Sequence, residues 1–527
     1  MKRVDVAVLG GGLAGNLLAR QLRRHVPDAS VAIVERATER AYKVGESTVE
    51  IATQYLVRRL GLSTYVYKEH LPKNGLRFFF DREGRDGDLT ELSELGVHGL
   101  PPYPSFQLDR ARLEADLLAM NREAGVDVYL GASVTDLALD GAARAHEITL
   151  QGGDAPQALR ARWVVDASGR AGLLAKRLDL RVPETEHRVG AAWGRYHGLR
   201  DMDDLSTPGA SEWRARARHT SRVLSTNHFC YPGYWIWLIP LREGLTSVGV
   251  VAEASRWDRR LSRPARAGDD PLATFVRAHR GVGSLLEGAE QVDHGAFGQL
   301  SFRTKTFFSG ERWGLVGDAA AFPDPFYSPG SDFIAIENDL LTDLIARDLA
   351  GEDVQERAQT YDAFMQMRFD TTLALYRGLY PTFGSYELFS AKCYFDTALY
   401  YNLLFDAYAA DKHLDLRWLR AELRRRASSI ATLEGYAERF AAAAREMHRR
   451  GTYYRRNLGH YELEGRKAFG VMQAVGEPRS RREVNERSAA VFARTDAMVR
   501  AALDDDTTGV PSLDAGGGAD AWSRLDA

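Results

Sequence analysis

An α/β fold, with a helix-wound parallel sheet, an inserted antiparallel-sheet lobe and a C-terminal helical region, follows from three features of this 527-residue sequence. A βαβ pattern with G-x-G-x-x-G at its first turn opens the chain. The hydrophobic period shifts towards two between about Val189 and Ser301, and helical patterning takes over from about Ala350.

The opening unit runs from Val4 to Arg36. Val6 to Leu9 is a buried β-run, and Gly10-Gly11-Gly12-Leu13-Ala14-Gly15 carries the fingerprint. Leu17, Leu18 and Leu22 mark a helix, and Val31 to Val34 form a second β-run ending on Glu35 and Arg36. Each glycine answers a physical need: Gly10 makes the tight turn, Gly12 lets the backbone approach a pyrophosphate, and Gly15 packs helix on strand. The helix N-terminus supplies amides and partial positive charge. Glu35 follows at the distance expected of an acid that accepts from a ribose hydroxyl.

Further along, Ala41-Tyr42-Lys43-Val44-Gly45-Glu46-Ser47 leads into an amphipathic helix through Leu60. The Gly45-Glu46-Ser47 turn either caps that helix or brings polar groups to the cofactor. Lys73, in Leu71-Pro72-Lys73-Asn74-Gly75, precedes an aromatic strand, Leu76 to Phe80. A helix from Leu108 to Gly125 carries Asp109 and Arg110, and Arg110 is placed with the cofactor-binding residues. Strand Val126 to Leu130 and a hairpin follow, and Trp163 to Gly169 closes the sheet with a loop through Asp166 near the nucleotide.

The second lobe has strands near Gly190 to His197, Tyr234 to Leu241 and Thr246 to Ala252. The chain then returns with Trp313-Gly314-Leu315-Val316-Gly317-Asp318-Ala319-Ala320, a strand that ends at Gly-Asp and opens a helix. Asp318 at that turn can accept from a ribityl or ribose hydroxyl. Two separated Gly/Asp elements around one Rossmann unit, with no second G-x-G-x-x-G after a strand, predict FAD rather than NAD as resident cofactor. The expected domains are a first FAD-binding part (1–188), an antiparallel-sheet substrate domain (189–305), an FAD-binding return segment (306–350), a helical region (351–503) and a disordered tail (504–527).

Composition narrows the function. Hydrophobic residues make up 45% of the chain, formal net charge is -3 and mean hydropathy is -0.33, which fits an ordinary soluble enzyme and gives no footprint for nucleic acid. Cys230 and Cys393 exclude a disulfide framework and a CxxC pair, so a cytoplasmic home is expected. Met1-Lys2-Arg3 superficially mimics a signal peptide, but Asp5 and the glycines break its apolar core. No apolar run approaches membrane-spanning length. The histidines form neither HExxH nor a Cys/His cluster, so no metal is expected, and no G-x-S-x-G elbow occurs.

Three motifs together resemble the flavin-dependent halogenases: Gly10-x-Gly12-x-x-Gly15, Trp235-Ile236-Trp237-Leu238-Ile239-Pro240, and Phe322-Pro323-Asp324-Pro325-Phe326-Tyr327-Ser328-Pro329-Gly330. The resemblance covers roughly residues 1 to 345 and implies an FAD fold like that of p-hydroxybenzoate hydroxylase. It also implies that FADH2, delivered by a separate flavin reductase, reacts with O2 so that chloride or bromide becomes hypohalous acid. The halide site then lies near Pro325, Ser328, Pro329 and Gly330, where backbone amides can hold an anion. Trp235 and Trp237 shield the flavin from organic substrate, and a lysine passes the halogen on.

That lysine is expected to be Lys73. Only nine of the 69 basic residues are lysine, and Lys73 stands in a Lys-x-Gly setting like that of the family's catalytic lysine. An amine can form a haloamine or donate to hypohalous acid, whereas a guanidinium stays charged. Lys43 is the runner-up, but its place beside Gly45-Glu46 reads as a flavin contact. Tryptophan halogenases carry a glutamate where this chain has Tyr327. Its absence points to a phenolic or pyrrole-like substrate, free or on a carrier protein that the Arg-rich helices between Arg417 and Arg456 could dock. The competing readings are an aromatic hydroxylase, a flavin-binding or carrier-docking protein without turnover, and a saturase of isoprenoid chains.

Overall fold

The computed structural model describes residues 1–511 apart from 40, 98, 141–144, 204–209, 263–268, 464–471 and 473–474. Two sheets organise it. In the first, strands run in the order Phe308–Ser309, Trp313–Leu315, Ala158–Asp166, Lys2–Leu9, Val31–Glu35 and Asp127–Leu130, with a hairpin (Ser133–Ala138, His146–Gln151) attached to Ala158–Asp166. The central pairs are parallel, and Val6 to Leu9 and Val31 to Val34 are buried on both faces, as a helix-covered parallel sheet requires. Helices Leu13–His25, Arg110–Glu123 and Gly330–Leu349 belong to this half.

The second sheet runs in the order Glu290–Gln291, Val189–His197, Leu245–Glu253, Tyr234–Pro240, Thr226–Tyr231, Leu76–Phe80, Ser93–Gly96 and Tyr461–Leu463, with Gly295–Phe297 also on Val189–His197. Here the structure corrects the expected span of 189–305. The aromatic strand Leu76–Phe80 pairs in parallel with Thr226–Tyr231, and Tyr461–Leu463 pairs in parallel with Ser93–Gly96. The sheet is therefore mixed, and it borrows strands from 1–188 and 351–503. The physical reason is burial: Phe78, Phe79 and Phe80 are all buried and need a sheet neighbour on each side.

Local departures also have causes. The helix expected over Leu108 to Gly125 starts at Arg110, because the Asp109 carboxylate caps it by accepting from Arg112 N at 3.1 Å. The helix expected through Leu60 is a single α-turn, Glu50–Gln54, that widens into a π-turn at Tyr55–Arg59. C-terminal helices Gln355–Arg377, Tyr386–Leu399, Arg426–Arg450 and Arg481–Ala502 pack around a core of Leu388, Phe395, Phe440 and Phe492. The tail expected to be disordered from 504 is held as far as it is described. Its acids meet the arginine run, with Asp504 2.6 Å from Arg455 and Asp506 3.2 Å from Arg450, and Arg439 donates to the Pro511 carbonyl. Residues 512–527 lie outside the described residues. No described helix is long and apolar enough to cross a membrane.

Candidate functional site

At the nucleotide end the three fingerprint glycines separate into two roles. A Cβ on Gly10, whose φ is +116°, would lie 2.4 Å from the Ala167 carbonyl oxygen, and one on Gly15 would lie 2.0 Å from the Gly10 oxygen. Both are packing requirements. A Cβ on Gly12 would meet nothing closer than Lys43 Nζ at 3.7 Å, so its open side faces space rather than protein. Helix Leu13–His25 has no side-chain cap, which leaves the amides of Leu13, Ala14 and Gly15 without intrahelical acceptors.

Around this opening the charges are ordered. Glu35 accepts from Gly11 N at 2.7 Å and from Ala37 N at 2.8 Å, so its carboxylate braces the glycine turn, while Arg36 is exposed. Lys43 and Arg110 both grip Glu114, at 2.6 and 2.5 Å, and Arg110 also donates to the Val44 carbonyl. Burial would raise the Glu114 carboxyl, but Arg110 and Lys43 outweigh it and hold the group below its usual value. Asp166 is spent on its own loop, accepting from Ser168 N and Leu174 N; sequence reasoning, which placed it with the cofactor, could not see those amides. Asp318 differs. It is half-buried, its carboxyl is raised by burial against the pull of Arg170, Arg110 and Arg181, and that carboxyl accepts no hydrogen bond from a described residue, although the backbone carbonyl of Asp318 accepts from Arg181 at 3.3 Å. Gly317 beside it has φ +60° and lies against Ala14. An uncapped helix, an open Gly12 and an unspent Asp318 fit a dinucleotide such as FAD.

Gly45-Glu46-Ser47 turns out to link the two sheets. Buried Glu46 accepts from Gly45 N at 2.9 Å and pairs with buried Arg195 at 2.6 Å; Arg195 also holds Asp293 at 2.9 Å. The capping reading of Ser47 fails, because the helix begins at Glu50 without a side-chain cap. Ser47 Oγ instead bonds Thr226 Oγ1 at 2.8 Å and accepts from Lys73 Nζ at 2.9 Å. Lys73, 3% exposed, donates also to the Thr48 carbonyl at 2.7 Å.

Lys73 borders a cavity of about 150 Å³ whose walls include Glu50, Tyr327, Pro329, Asp332, Arg368, Tyr376, Asp396 and Tyr400. Tyr327 and Ser328 are consecutive non-glycine residues at φ +60° and +58°, a strained pair. Ser328 N closes onto the Pro325 carbonyl at 3.0 Å, and Gly330 starts a 20-residue helix that no side chain caps. Trp235 and Trp237 lie on one face of their strand and do not line this cavity. Trp235 packs edge-on against Phe326, and Trp237 donates to Ser247 at 3.1 Å. Beneath Phe326, Asp324 is held by His187 at 2.7 Å and by the Tyr380 hydroxyl at 2.8 Å.

Sequence reasoning missed Asp332, Arg368, Asp396 and Lys392. The Tyr327 hydroxyl donates to Asp396 at 3.2 Å, and Asp396 pairs with buried Lys392 one helical turn away. Burial raises the Asp396 carboxyl and lowers the Lys392 ammonium, and in each case the charge and hydrogen bond of the partner oppose the shift. Burial also pushes Asp332 up to about 7, although Ala52 N and the Tyr400 hydroxyl both donate to it. The available signal was charge inside otherwise apolar helix faces. Among the described residues no cluster of His, Cys, Asp and Glu could hold a metal ion.

Comparison with known proteins decides the class. Residues 3–369 match the family described as FAD binding domain. The chain is 30% identical over 444 residues to flavin-dependent halogenase chlA of Dictyostelium discoideum, across 78% of this chain and 71% of that relative. The chain belongs to the flavin-dependent halogenases. Another relative, the 1H-pyrrole-2-carbonyl peptidyl-carrier-protein chlorinase of Pseudomonas fluorescens, is 25% identical over 347 residues, 62% of this chain and 72% of that protein. The crystal structure of halogenase PltM in complex with phloroglucinol and FAD shares the fold, with a TM-score of 0.64 at 16% identity over 99% of each chain. FAD is thus the cofactor of this halogenase and halide its inorganic substrate. The hydroxylase, scaffold and saturase readings give way to that membership.

Proposed function

We propose that this halogenase takes FADH2 from a separate flavin reductase and uses O2 with chloride or bromide to halogenate a phenolic or similarly electron-rich ring through Lys73. The observation that carries this reading is the buried Lys73 ammonium, held by Ser47 and Thr48 at the wall of a cavity that also presents Tyr327 and Asp396. Bound reduced FAD with O2 supplies the oxidising equivalent that turns halide into hypohalous acid. The Gly10-to-Gly15 turn, Glu35, Lys43, Arg110 and Asp318 hold that cofactor, and the Ser328-Pro329-Gly330 helix start holds the halide.

Lys73 binds hypohalous acid by donating to its oxygen, and in doing so directs the halogen at the ring. The ring's electron pair forms the carbon–halogen bond as the oxygen–halogen bond breaks. The released hydroxide takes a proton from the Lys73 ammonium and leaves as water, the ring proton goes to the Asp396 carboxylate, and solvent resets both groups before the next turnover. Tyr327 orients that carboxylate, which stands in for the glutamate that Tyr327 replaces.

A phenol or pyrrole suits a site of this kind because the ring activates itself. The PltM structure holds phloroglucinol, and the Pseudomonas relative is named for a carrier-bound pyrrole. Carrier docking through the Arg-rich helices finds little support. Arg420 pairs with Glu356, Arg426 with Asp370, Arg439 with Asp496, Arg450 with Glu446, and Arg455 with Glu387. A cytoplasmic setting suits the two buried, free cysteines. Incubation with a flavin reductase, NADH, bromide and a panel of phenols, read by mass spectrometry, tests the whole reading. Brominated product is expected; hydroxylated product, or NADPH oxidation by the pure protein, would sink it.

A further inference from the structure

Arg368 stands on helix Gln355–Arg377 in the wall shared by the Lys73 cavity and a second, largely apolar cavity of about 90 Å³ lined by Phe364, Met367, Leu403 and Trp418. It is 8% exposed, and its guanidinium makes neither a hydrogen bond nor an ion pair to any described residue. Asp332, the acid whose charge acts on it, forms no ion pair with it and has its carboxylate engaged by Ala52 N and Tyr400. An unpaired buried charge is among the most costly features a fold can carry, and buried arginines normally sit opposite a carboxylate or phosphate. Burial lowers this guanidinium only to about 10, so it stays charged at neutral pH.

We infer that Arg368 is the anchor for a carboxylate on the aromatic substrate, and that the halogenase prefers a free aromatic acid to the neutral ring. This rests on the proposed use of the Lys73 cavity for substrate. The planar guanidinium offers two parallel donors to a carboxylate, and Lys73 borders the same cavity. A ring fixed through its acid group therefore presents a defined carbon to the lysine. A substrate joined to a carrier through that carboxyl would forfeit the contact, so the anchor also selects against the tethered form.

The test is binding to the oxidised holoenzyme, which needs no turnover. Mono- and dihydroxybenzoates are each compared by calorimetry with their methyl esters and N-acetylcysteamine thioesters. The best acid should bind more tightly than its ester and thioester by roughly 10–100-fold, the range of a charge-assisted hydrogen-bond pair. Arg368→Met should abolish that preference while keeping FAD and melting no lower than the wild type, since it removes a charge that pairs with nothing. Arg368→Lys should restore part of it. Acids that bind no better than their esters, including no detectable binding of either, would overturn the inference. So would thioesters that bind best, or an Arg368→Met protein that loses FAD or melts lower. Failure of the halogenation reading is separate: it shows as absent brominated product, whatever the acid preference.

Discussion

The Tyr327 hydroxyl reaches Asp396 Oδ2 across 3.2 Å, joining a strained loop before one helix to a buried carboxylate on another. Tyr327 is held at φ +60°, where a non-glycine residue costs on the order of 1–3 kcal/mol. Beside Glu50 and Asp332, the cavity thus receives a third carboxylate, Asp396, from the C-terminal helix Tyr386–Leu399.

Asp396→Asn should therefore lower bromination by roughly 100-fold or more while flavin binding is kept, the usual scale for losing a general base. Removing the charge also strands Lys392, so the double variant Lys392→Met/Asp396→Asn serves as the stability control. Steady-state rates with bromide and a phenol check this, and an Asp396→Asn protein with wild-type turnover would return the proton to solvent.

Gly12→Val should abolish FAD binding without unfolding the protein. A Cβ at Gly12 meets no protein atom closer than 3.7 Å, so the added carbons clash only with what the space is open for. Gly10→Val and Gly15→Val should fail differently. Their Cβ atoms would lie 2.4 and 2.0 Å from carbonyl oxygens, so soluble, folded protein is not expected. Flavin absorbance and circular dichroism separate the two outcomes, and a folded Gly12→Val protein that keeps its flavin would refute the assignment.

The contrast between local and distant contacts explains what the chain reveals in its order of residues. The glycine turn, Glu35 and the Gly317-Asp318 turn are legible because the strand, turn and helix that define each are consecutive in the chain, although Gly10 packs on Ala167 and Gly317 on Ala14. Lys73 is legible as a rare lysine beside an aromatic strand, although its bonds to Ser47 and Thr48 are not. The Glu46–Arg195 pair is closed over 149 positions and the Ser47–Thr226 bond over 179, and no periodicity carries such distances. Asp332, Arg368 and Asp396 were hidden for a related reason. Each interrupts an apolar helix pattern by one residue, and only packing shows that those interruptions converge on one cavity.

Glu337 gives a pH-dependent prediction. It is fully buried, accepts from Gly317 N at 2.6 Å, and leaves its other oxygen without a partner. Burial pushes its carboxyl up to about 8, from 4.5 in the unfolded chain. Between those values the folded protein keeps a proton that the unfolded chain has lost, so this group's contribution to stability falls as pH rises through that window and is lost above about 8. The limiting slope is about 1.4 kcal/mol per pH unit. Glu337→Gln mimics the protonated form, so its melting temperature should match the wild type near pH 5 and exceed it at pH 9. A variant that shifts the melting temperature equally at both pH values would show that Glu337 does not titrate in this range.

Lys73 is the residue on which the proposed chemistry turns, and its surroundings set what a variant can reveal. Its amine is held by a hydroxyl and a carbonyl on the segment that follows the Glu46–Arg195 link, whereas the lysine that faces the Gly12 opening is Lys43. Lys73→Ala should bind FAD and consume FADH2 and O2 at the wild-type rate while forming no halogenated product. Lys73→Arg should behave the same way, because the larger planar guanidinium cannot take the ammonium's place between Ser47 and Thr48 and aim a single donor at the hypohalous acid. Uncoupled oxidation is thus the expected signature, read as oxygen uptake in an electrode beside product mass. Lys73→Met separates packing from chemistry: it keeps the apolar stem, leaves Ser47 bonded to Thr226, and should give the same uncoupling with a similar melting temperature. Halogenated product at wild-type level from Lys73→Ala would remove Lys73 from the mechanism and direct attention to Lys43 and to Lys392, a buried lysine whose partner Asp396 lines this cavity. Loss of FAD from all three variants would assign Lys73 to holding the Ser47 loop instead.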